Sequence, residues 1–541
     1  MFELTYTLSV LLMILLPAAF AWLLRRRSPT PWLLFSVGAL TFFISQAVHL
    51  PLNEWLSEIG LLPGEAAPDL PVWQSALILG LTAGLCEELA RALGYAVLQK
   101  VRPGWMRLQD GVMLGLGHGG FESMVFGGVL VASMASFLLP LIGRDLAALG
   151  LTAEQLAALN TQLVAIAQTP WDAFWPLVER LLAIGFHVVL SLMVWKAFAG
   201  RGGFRRNWFY LPLAILYHAA VDFGAVWMRQ SETGSNVQVL SAFAIILLPG
   251  WLWVWWTARQ ADLPGKKDND NWQAAWAVFW VATRKEIFQA WRTRRMLVVW
   301  AVFLIFGLAS PLLAKFTPEM LGMIEGAEQF ADLIPVPTAA DAMTQYIKNI
   351  TQFGFLLAVL LGMGVVVGEK ERGVAAMILS KPMSREAFVA SKLVAQIVMY
   401  LAAFGLSAVG AYYYTWILFG APEAGNFTLM NLLLFLWVLP FAGLSLVGST
   451  LGKSTAAAGG IGLGLSVLLM LAGNIPQYGV LLPGGLLGWA ATAGQLSAGV
   501  SQALTAQELF SGAQAGAAAS AVVVTLMALL VSVGVFEQQE L

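Results

Sequence analysis

Trp73-Gln-Ser-Ala-Leu-Ile-Leu-Gly-Leu-Thr-Ala-Gly-Leu-Cys-Glu-Glu-Leu-Ala-Arg91 opens a run, residues 73–99, that is long and apolar enough to cross a bilayer, yet it carries Glu87, Glu88 and Arg91 near its middle. Ionised side chains at mid-membrane cost several kcal/mol, so they persist where they pair, line a cavity or do chemistry. Three further stretches of the same kind carry His118-x-x-x-Glu122, His187 and His218-x-x-x-Asp222. The chain has four histidines, His49, His118, His187 and His218, and three of them fall in this set. The expectation is an active site inside membrane-spanning helices, with His49 an interfacial residue at the end of its span.

The bulk composition sets the class. Of 541 residues, 59% are hydrophobic and 11% are charged, more apolar surface than a soluble core can bury. The expected fold is all-α, a polytopic membrane protein of about thirteen transmembrane helices in two helical-bundle domains. The spans are expected near 3–24, 32–51, 73–99, 109–139, 176–198, 208–228, 238–258, 296–314, 347–367, 388–418, 428–451, 455–473 and 516–536. A net charge of -1 points to no nucleic-acid partner, and the single cysteine, Cys86, excludes an intrachain disulfide. The first span is followed by Arg25-Arg26-Arg27 and lacks an early basic region and a small-residue cleavage site, so it reads as a retained helix. Basic residues cluster on alternate loops, which puts the N-terminus outside and the C-terminus in the cytoplasm of a prokaryotic plasma membrane.

The most polar run, residues 259–271, contains Pro264 and Gly265 and reads as a cytoplasmic linker. It separates a seven-span domain, 1–258, from a six-span domain, 272–541, which holds no histidine.

Depth ties the first-half groups together. Glu87 lies 13 residues before Lys100, His118 11 after Arg107, His187 9 before Lys196 and His218 12 after Arg206. At about 1.5 Å per residue, four helices bring ionisable groups to one level, roughly 14–20 Å from their basic anchors. Glu87 and Arg91, His118 and Glu122, and His218 and Asp222 are each four apart and share a helix face. The tract Gly115-Leu-Gly-His-Gly-Gly-Phe-Glu122 carries four glycines that allow another helix or a substrate to approach closely. One glutamate paired with arginine and a second accepting a proton from water make a workable general base, with histidines orienting the water or stabilising an oxyanion. His118, His187 and His218 with a carboxylate are also a reasonable zinc set, but there is no His-Glu-x-x-His, so metal is placed second and no intrinsic cofactor is expected.

These residues resemble the glutamic intramembrane proteases of the CAAX-protease superfamily, and more narrowly its bacterial YhfC-type branch, over about residues 1–258. Glu87, Glu88 and Arg91 match the first motif, His118 the second, and His218 with Asp222 the third. The resemblance assigns water activation to Glu87, positions the water with His118 and places His218 and Asp222 around the oxyanion. Glu122 and His187 have no place in the generic pattern; Glu122 joins the candidate catalytic set on its spacing from His118, and His187 joins it on its depth.

In the second half, residues 368–392 join two spans through a charged segment that is broken at Pro382 and resumes as helix behind Ser384, a good N-cap. Its wording resembles the cytoplasmic loop of ABC-2 type permeases. That resemblance makes Glu369, Glu371, Arg372, Gly373, Ser380, Lys381, Pro382, Ser384 and Arg385 the loop that docks a separate ATP-binding subunit. Residues 272–295 resemble the family's interfacial elbow helix, and the broken apolar region 474–515 its re-entrant helices. Gly448-Ser-Thr-Leu-Gly-Lys-Ser454 has three residues between its glycines where a phosphate loop needs four, so ATP is expected only through the partner subunit. A homodimer is implied. The expected function is a glutamic intramembrane endopeptidase fused to an ABC exporter subunit, acting on a peptide or lipidated substrate. The alternatives are a permease with a non-catalytic binding module and a metal-dependent protease or metal-handling transporter.

Overall fold

The computed structural model describes residues 2–142, 153–199, 203–230, 236–260, 272–322, 336–475, 478–500 and 514–540. Among them the regular structure is helical throughout. Most of the expected 259–271 linker and part of the 474–515 region lie outside the described residues.

Two compact units form, Met1–Val131 with Ala165–Asp270, and Ala132–Val164 with Asn271–Leu541. In chain order the first half holds α1 (Phe2–Arg27), α2 (Trp32–Glu58), α3 (Val72–Val101), α4 (Leu108–Glu122), α5 (Leu130–Leu138), α6 (Ala153–Gln168), α7 (Trp175–Ala199), α8 (Gly203–Asn207), α9 (Tyr210–Gln230) and α10 (Asn236–Gln260). The second half holds α11 (Trp272–Arg292), α12 (Arg295–Gly322), α13 (Ala339–Gly362), α14 (Val367–Glu371), α15 (Val374–Leu379), α16 (Arg385–Phe419), α17 (Ala424–Leu451), α18 (Thr455–Ala472), α19 (Gly485–Ser497) and α20 (Gln514–Glu537). Twelve described helices are long and apolar enough to cross a membrane. The span expected at 73–99 is present as α3 but is not among the twelve, because Glu87, Glu88 and Arg91 lower its apolar content.

Helix ends follow their capping chemistry. Ser384 Oγ accepts from the Ala387 N–H at 3.1 Å, and α16 begins behind it, as the sequence predicts. The Glu423 carboxylate accepts from Gly425 and Asn426 N–H at the start of α17, and the N–H groups of Asn426 and Gly425 hold its carboxyl below the usual range. Ser454, the last residue of the phosphate-loop-like stretch, caps α18 by accepting from the Ala457 N–H. One boundary moves: α13 starts at Ala339, eight residues before the expected 347, because Thr338 and Asp341 form a reciprocal capping box.

Glycines set how closely the first unit packs. A Cβ on Gly117 would lie 2.0 Å from the Phe35 carbonyl oxygen, and one on Gly38 would lie 2.1 Å from that of Leu114, so α2 and α4 touch backbone to backbone. Across α4, a Cβ on Gly119 would meet His187 Cβ at 2.8 Å. Gly80 and Gly84 repeat the arrangement between α3 and α9, where their Cβ atoms would meet the carbonyl oxygens of Ala219 and Ile215. Gly117→Ala forces α2 from α4 and lowers stability by about 1–3 kcal/mol, read as a fall in Tm of the detergent-purified protein.

Candidate active site

Four helices converge their ionisable groups on one oxygen. Glu87 Oε2 lies 3.1 Å from His118 Nε2, 3.9 Å from His218 Nε2 and 4.0 Å from His187 Nδ1. All four side chains are nearly or fully buried, Glu87 being 6% exposed. The rings of His118 and His187 have centroids 5.1 Å apart, and those of His187 and His218 5.5 Å apart.

The surrounding hydrogen bonds fix where the ring protons sit. Thr41 Oγ1 spends its one proton on the Gly38 carbonyl, at 2.7 Å, so at 2.9 Å it accepts from His118 Nδ1–H. That leaves a lone pair on His118 Nε2 facing Glu87 Oε2. Glu88, fully buried and paired with Arg91, accepts at Oε1 from His218 Nδ1–H at 2.8 Å. His218 Nε2 faces two further carboxylates, with Asp222 Oδ2 3.4 Å away and Glu87 Oε2 3.9 Å away. Arg91 Nη2 can only donate, so His187 Nδ1 accepts from it at 3.1 Å and His187 Nε2–H contacts Glu122 Oε2. The other Glu87 oxygen, Oε1, accepts from Gln46 Nε2 at 3.1 Å.

Glu122 sits at the hinge between α4 and a π-helical stretch, Ser123–Val129. Such turns displace the helix register and cluster at functional sites. Within this one, Gly127 leaves room for the stem of Arg180: an added Cβ would lie 3.0 Å from Arg180 Cγ. Arg180 Nη1 then donates to Glu122 Oε1 at 2.7 Å, and its Nη2 donates to Glu179 Oε1 at 2.9 Å. Glu179 in turn accepts from Arg229, whose side chain is 74% exposed.

The structure thus brings together Glu87, Glu88, Arg91, His118, Glu122, His187, His218 and Asp222, the set singled out from sequence. Thr41, Gln46 and Arg180 belong with them and were not anticipated. His49 stands apart, bonded to Thr82 and Asn53. Cys86 beside Glu87 makes no bond to the histidines among the described residues.

In the second half the expected docking loop divides. Glu369 is 2% exposed and bonds to Lys285 and Lys392, and Arg385 Nη1 donates to the carbonyls of Phe536, Glu537 and Gln539. Ser384 serves as the helix cap. Glu371, Arg372, Gly373, Ser380, Lys381 and Pro382 stay on the surface, and Gly373 takes the left-handed turn, φ 69°, that separates α14 from α15.

Residues 12–245 match the family model described as YhfC intramembrane metalloprotease, and residues 280–541 match that described as ABC-2 family transporter protein. Two Bacillus subtilis (strain 168) relatives are similar. The membrane protein YhfC is 27% identical over 251 residues, 45% of this chain and 93% of the relative. The transmembrane protein YxlG is 27% identical over 192 residues, 35% of this chain and 74% of the relative. The chain thus joins a YhfC-like membrane protease domain to an ABC-2 type permease domain.

The family description names a metalloprotease, where the sequence reading placed metal second and named His118, His187 and His218 as its holders. The donor set fits a metal. Glu87, His118 and His187 put ligand atoms within 4.8 Å of one another, Glu87 being the carboxylate expected beside the histidines. Two ligand atoms at zinc-bond lengths and a tetrahedral angle lie about 3.3 Å apart, close to the shortest separation here. His187 Nδ1 is engaged by Arg91, whereas the lone pair of His118 Nε2 is free to face Glu87.

Arg180→Met leaves the Glu122 carboxylate short of its cation and lowers stability by about 3 kcal/mol, with Arg180→Lys recovering most of the loss; thermal unfolding of both variants checks it.

Proposed function

We propose that the first half is a membrane-embedded endopeptidase centred on Glu87, His118, His187 and His218, and that it holds a divalent metal. The observation that carries this reading is the set of three imidazole nitrogens 3.1–4.0 Å from one carboxylate oxygen, with His118 Nε2 left unprotonated by the Thr41 contact. A single proton satisfies one such contact, and a cation satisfies them all.

A divalent ion held there supplies acidity to a water and polarises a scissile carbonyl. The protein's own groups do the rest. Gln46 pins Glu87 Oε1 so that Oε2 faces the histidines. Thr41 fixes the His118 tautomer, and the Glu88–Arg91 pair orients His218 through its Nδ1–H. Asp222, 34% exposed and beside His218 Nε2, is the group that exchanges protons with solvent and delivers one to the leaving amine.

A metal-free version, with Glu87 Oε2 itself taking the water proton, uses the same residues. Metal analysis of the detergent-purified protein, paired with peptide-library cleavage, separates the two. In the metal reading, wild type carries about one equivalent, chelation stops cleavage, and Glu87→Gln loses both metal and at least about a hundredfold in rate. Cleavage by metal-free protein, abolished by Glu87→Gln, selects the glutamate base instead. A folded, metal-free protein that cleaves nothing leaves a permease with a non-catalytic module.

The second half is the membrane subunit of an exporter that works as a homodimer with a separate ATP-binding subunit, docked on the exposed part of 368–392. Its cargo is the peptide or lipidated product, and tethering the two halves raises the product's effective concentration at the exporter. The membrane is a prokaryotic plasma membrane, with the N-terminus outside.

Thr41→Val removes the acceptor of His118 Nδ1–H without touching a ligand atom. Metal affinity falls by about 10–100-fold in a chelator competition, with Tm little changed.

A further inference from the structure

The base of α12 carries a second polar site. Helix α11 is not among the helices apolar enough to span, and it exposes Trp276, Trp280, Phe288 and Trp291, with Arg284 and Arg292 alongside. Aromatic and basic side chains mixed along one helix are the mark of a segment lying at headgroup level. It turns into α12 through Arg294, a non-glycine residue held in the left-handed region, φ 62°. That turn sets the N-terminus of the 28-residue α12, with its unshared N–H groups, at the edge of a cleft of about 50 Å³.

The charges around this cleft do not cancel. Lys285 Nζ contacts Glu286 Oε1 at 2.8 Å and Glu369 Oε1 at 2.7 Å, and Lys392 Nζ contacts Glu286 Oε1 at 2.9 Å and Glu369 Oε2 at 2.6 Å. Two lysines and two glutamates thus close a neutral ring. Arg295 and Arg372 also line the cleft, and neither has a carboxylate within ion-pair distance among the described residues. A further lining residue, Gln396, is 5% exposed, and neither its Oε1 nor its Nε2 has a hydrogen-bond partner. A buried amide donor without an acceptor, two uncompensated guanidinium groups and a helix N-terminus call for the same ligand, an anion with several acceptor oxygens.

We propose that this cleft binds a phosphate group, and the headgroup-level placement of α11 favours an anionic phospholipid as its source. The test uses the full-length chain, delipidated in detergent and offered phosphatidylglycerol or phosphatidylcholine, with retained lipid read by native mass spectrometry. Wild type retains phosphatidylglycerol preferentially. Arg295→Gln and Gln396→Leu each cut that retention by about tenfold, as loss of one charge-assisted bond does. Lys348→Gln, a change to an exposed basic residue of α13 that does not line the cleft, leaves it unchanged. Equal retention by all these proteins, or a loss as large in Lys348→Gln, overturns the site. A parallel arm adds inorganic phosphate alone. Thermal stabilisation of wild type but not of Arg295→Gln, without any headgroup preference, keeps the phosphate chemistry and overturns the lipid source.

Discussion

Glu88 and Arg91 lie one helical turn apart on α3 with no exposed surface, and this buried pair constrains everything around it. A carboxylate or guanidinium stripped of water must find its remaining partners in protein, because the alternative costs several kcal/mol per group. Glu88 has one on α9, His218, and Arg91 has one on α7, His187. Meeting both fixes the rotation of three helices about their axes. Helix axes must then approach until imidazole and carboxylate are within hydrogen-bond reach, which side chains at the contacts would prevent. The glycines at 80 and 84 against α9, and at 115 and 119 against α7, are the steric condition for the electrostatic one.

The sequence shows these charged positions because they interrupt apolar helices, where an ionisable residue stands out against its background. Residues that act through ordinary polar chemistry are harder to see. Thr41 and Gln46 belong to a stripe on α2, Thr41-Ser45-Gln46-His49-Asn53, whose spacing places it on one helix face. That signal was present, yet serine and threonine are common in membrane helices and carry no penalty that demands explanation. Arg180 lies two turns before His187 on the same face of α7, but nothing local says that its guanidinium reaches α4. The π-helical stretch that lets it do so is a matter of register within Ser123–Val129, and register leaves no mark in composition.

Boundaries divide in the same way. The start of α16 was legible because Ser384 is a strong cap ahead of an apolar run. The early start of α13 was missed because hydrophobicity was read ahead of capping: Thr338 and Asp341 spell the cap, but Asp341, Gln345 and Lys348 make its first turns polar. The docking loop shows a further limit. A motif match treats its residues as one functional set, whereas Glu369 and Arg385 are consumed in tying the loop to its own unit.

Two clusters of acids and bases stand out among the described residues, and their difference carries the functional argument. The Lys285–Glu286–Lys392–Glu369 ring is closed: each ammonium contacts both carboxylates, and each carboxylate contacts both ammonium groups. Such a ring holds α11, α14 and α16 in register and needs nothing more. The cluster around Glu87 is open. Its outer members, Glu88 with Arg91 and Glu122 with Arg180, neutralise one another, and in doing so they orient the rings of His218 and His187. What remains at the centre is the Glu87 oxygen facing His118 Nε2, acceptor against acceptor, an arrangement that is repulsive unless a proton or a metal ion lies between them. Packing alone gives no reason to bury such a contact across four helices. A site that takes up a proton or a cation there does.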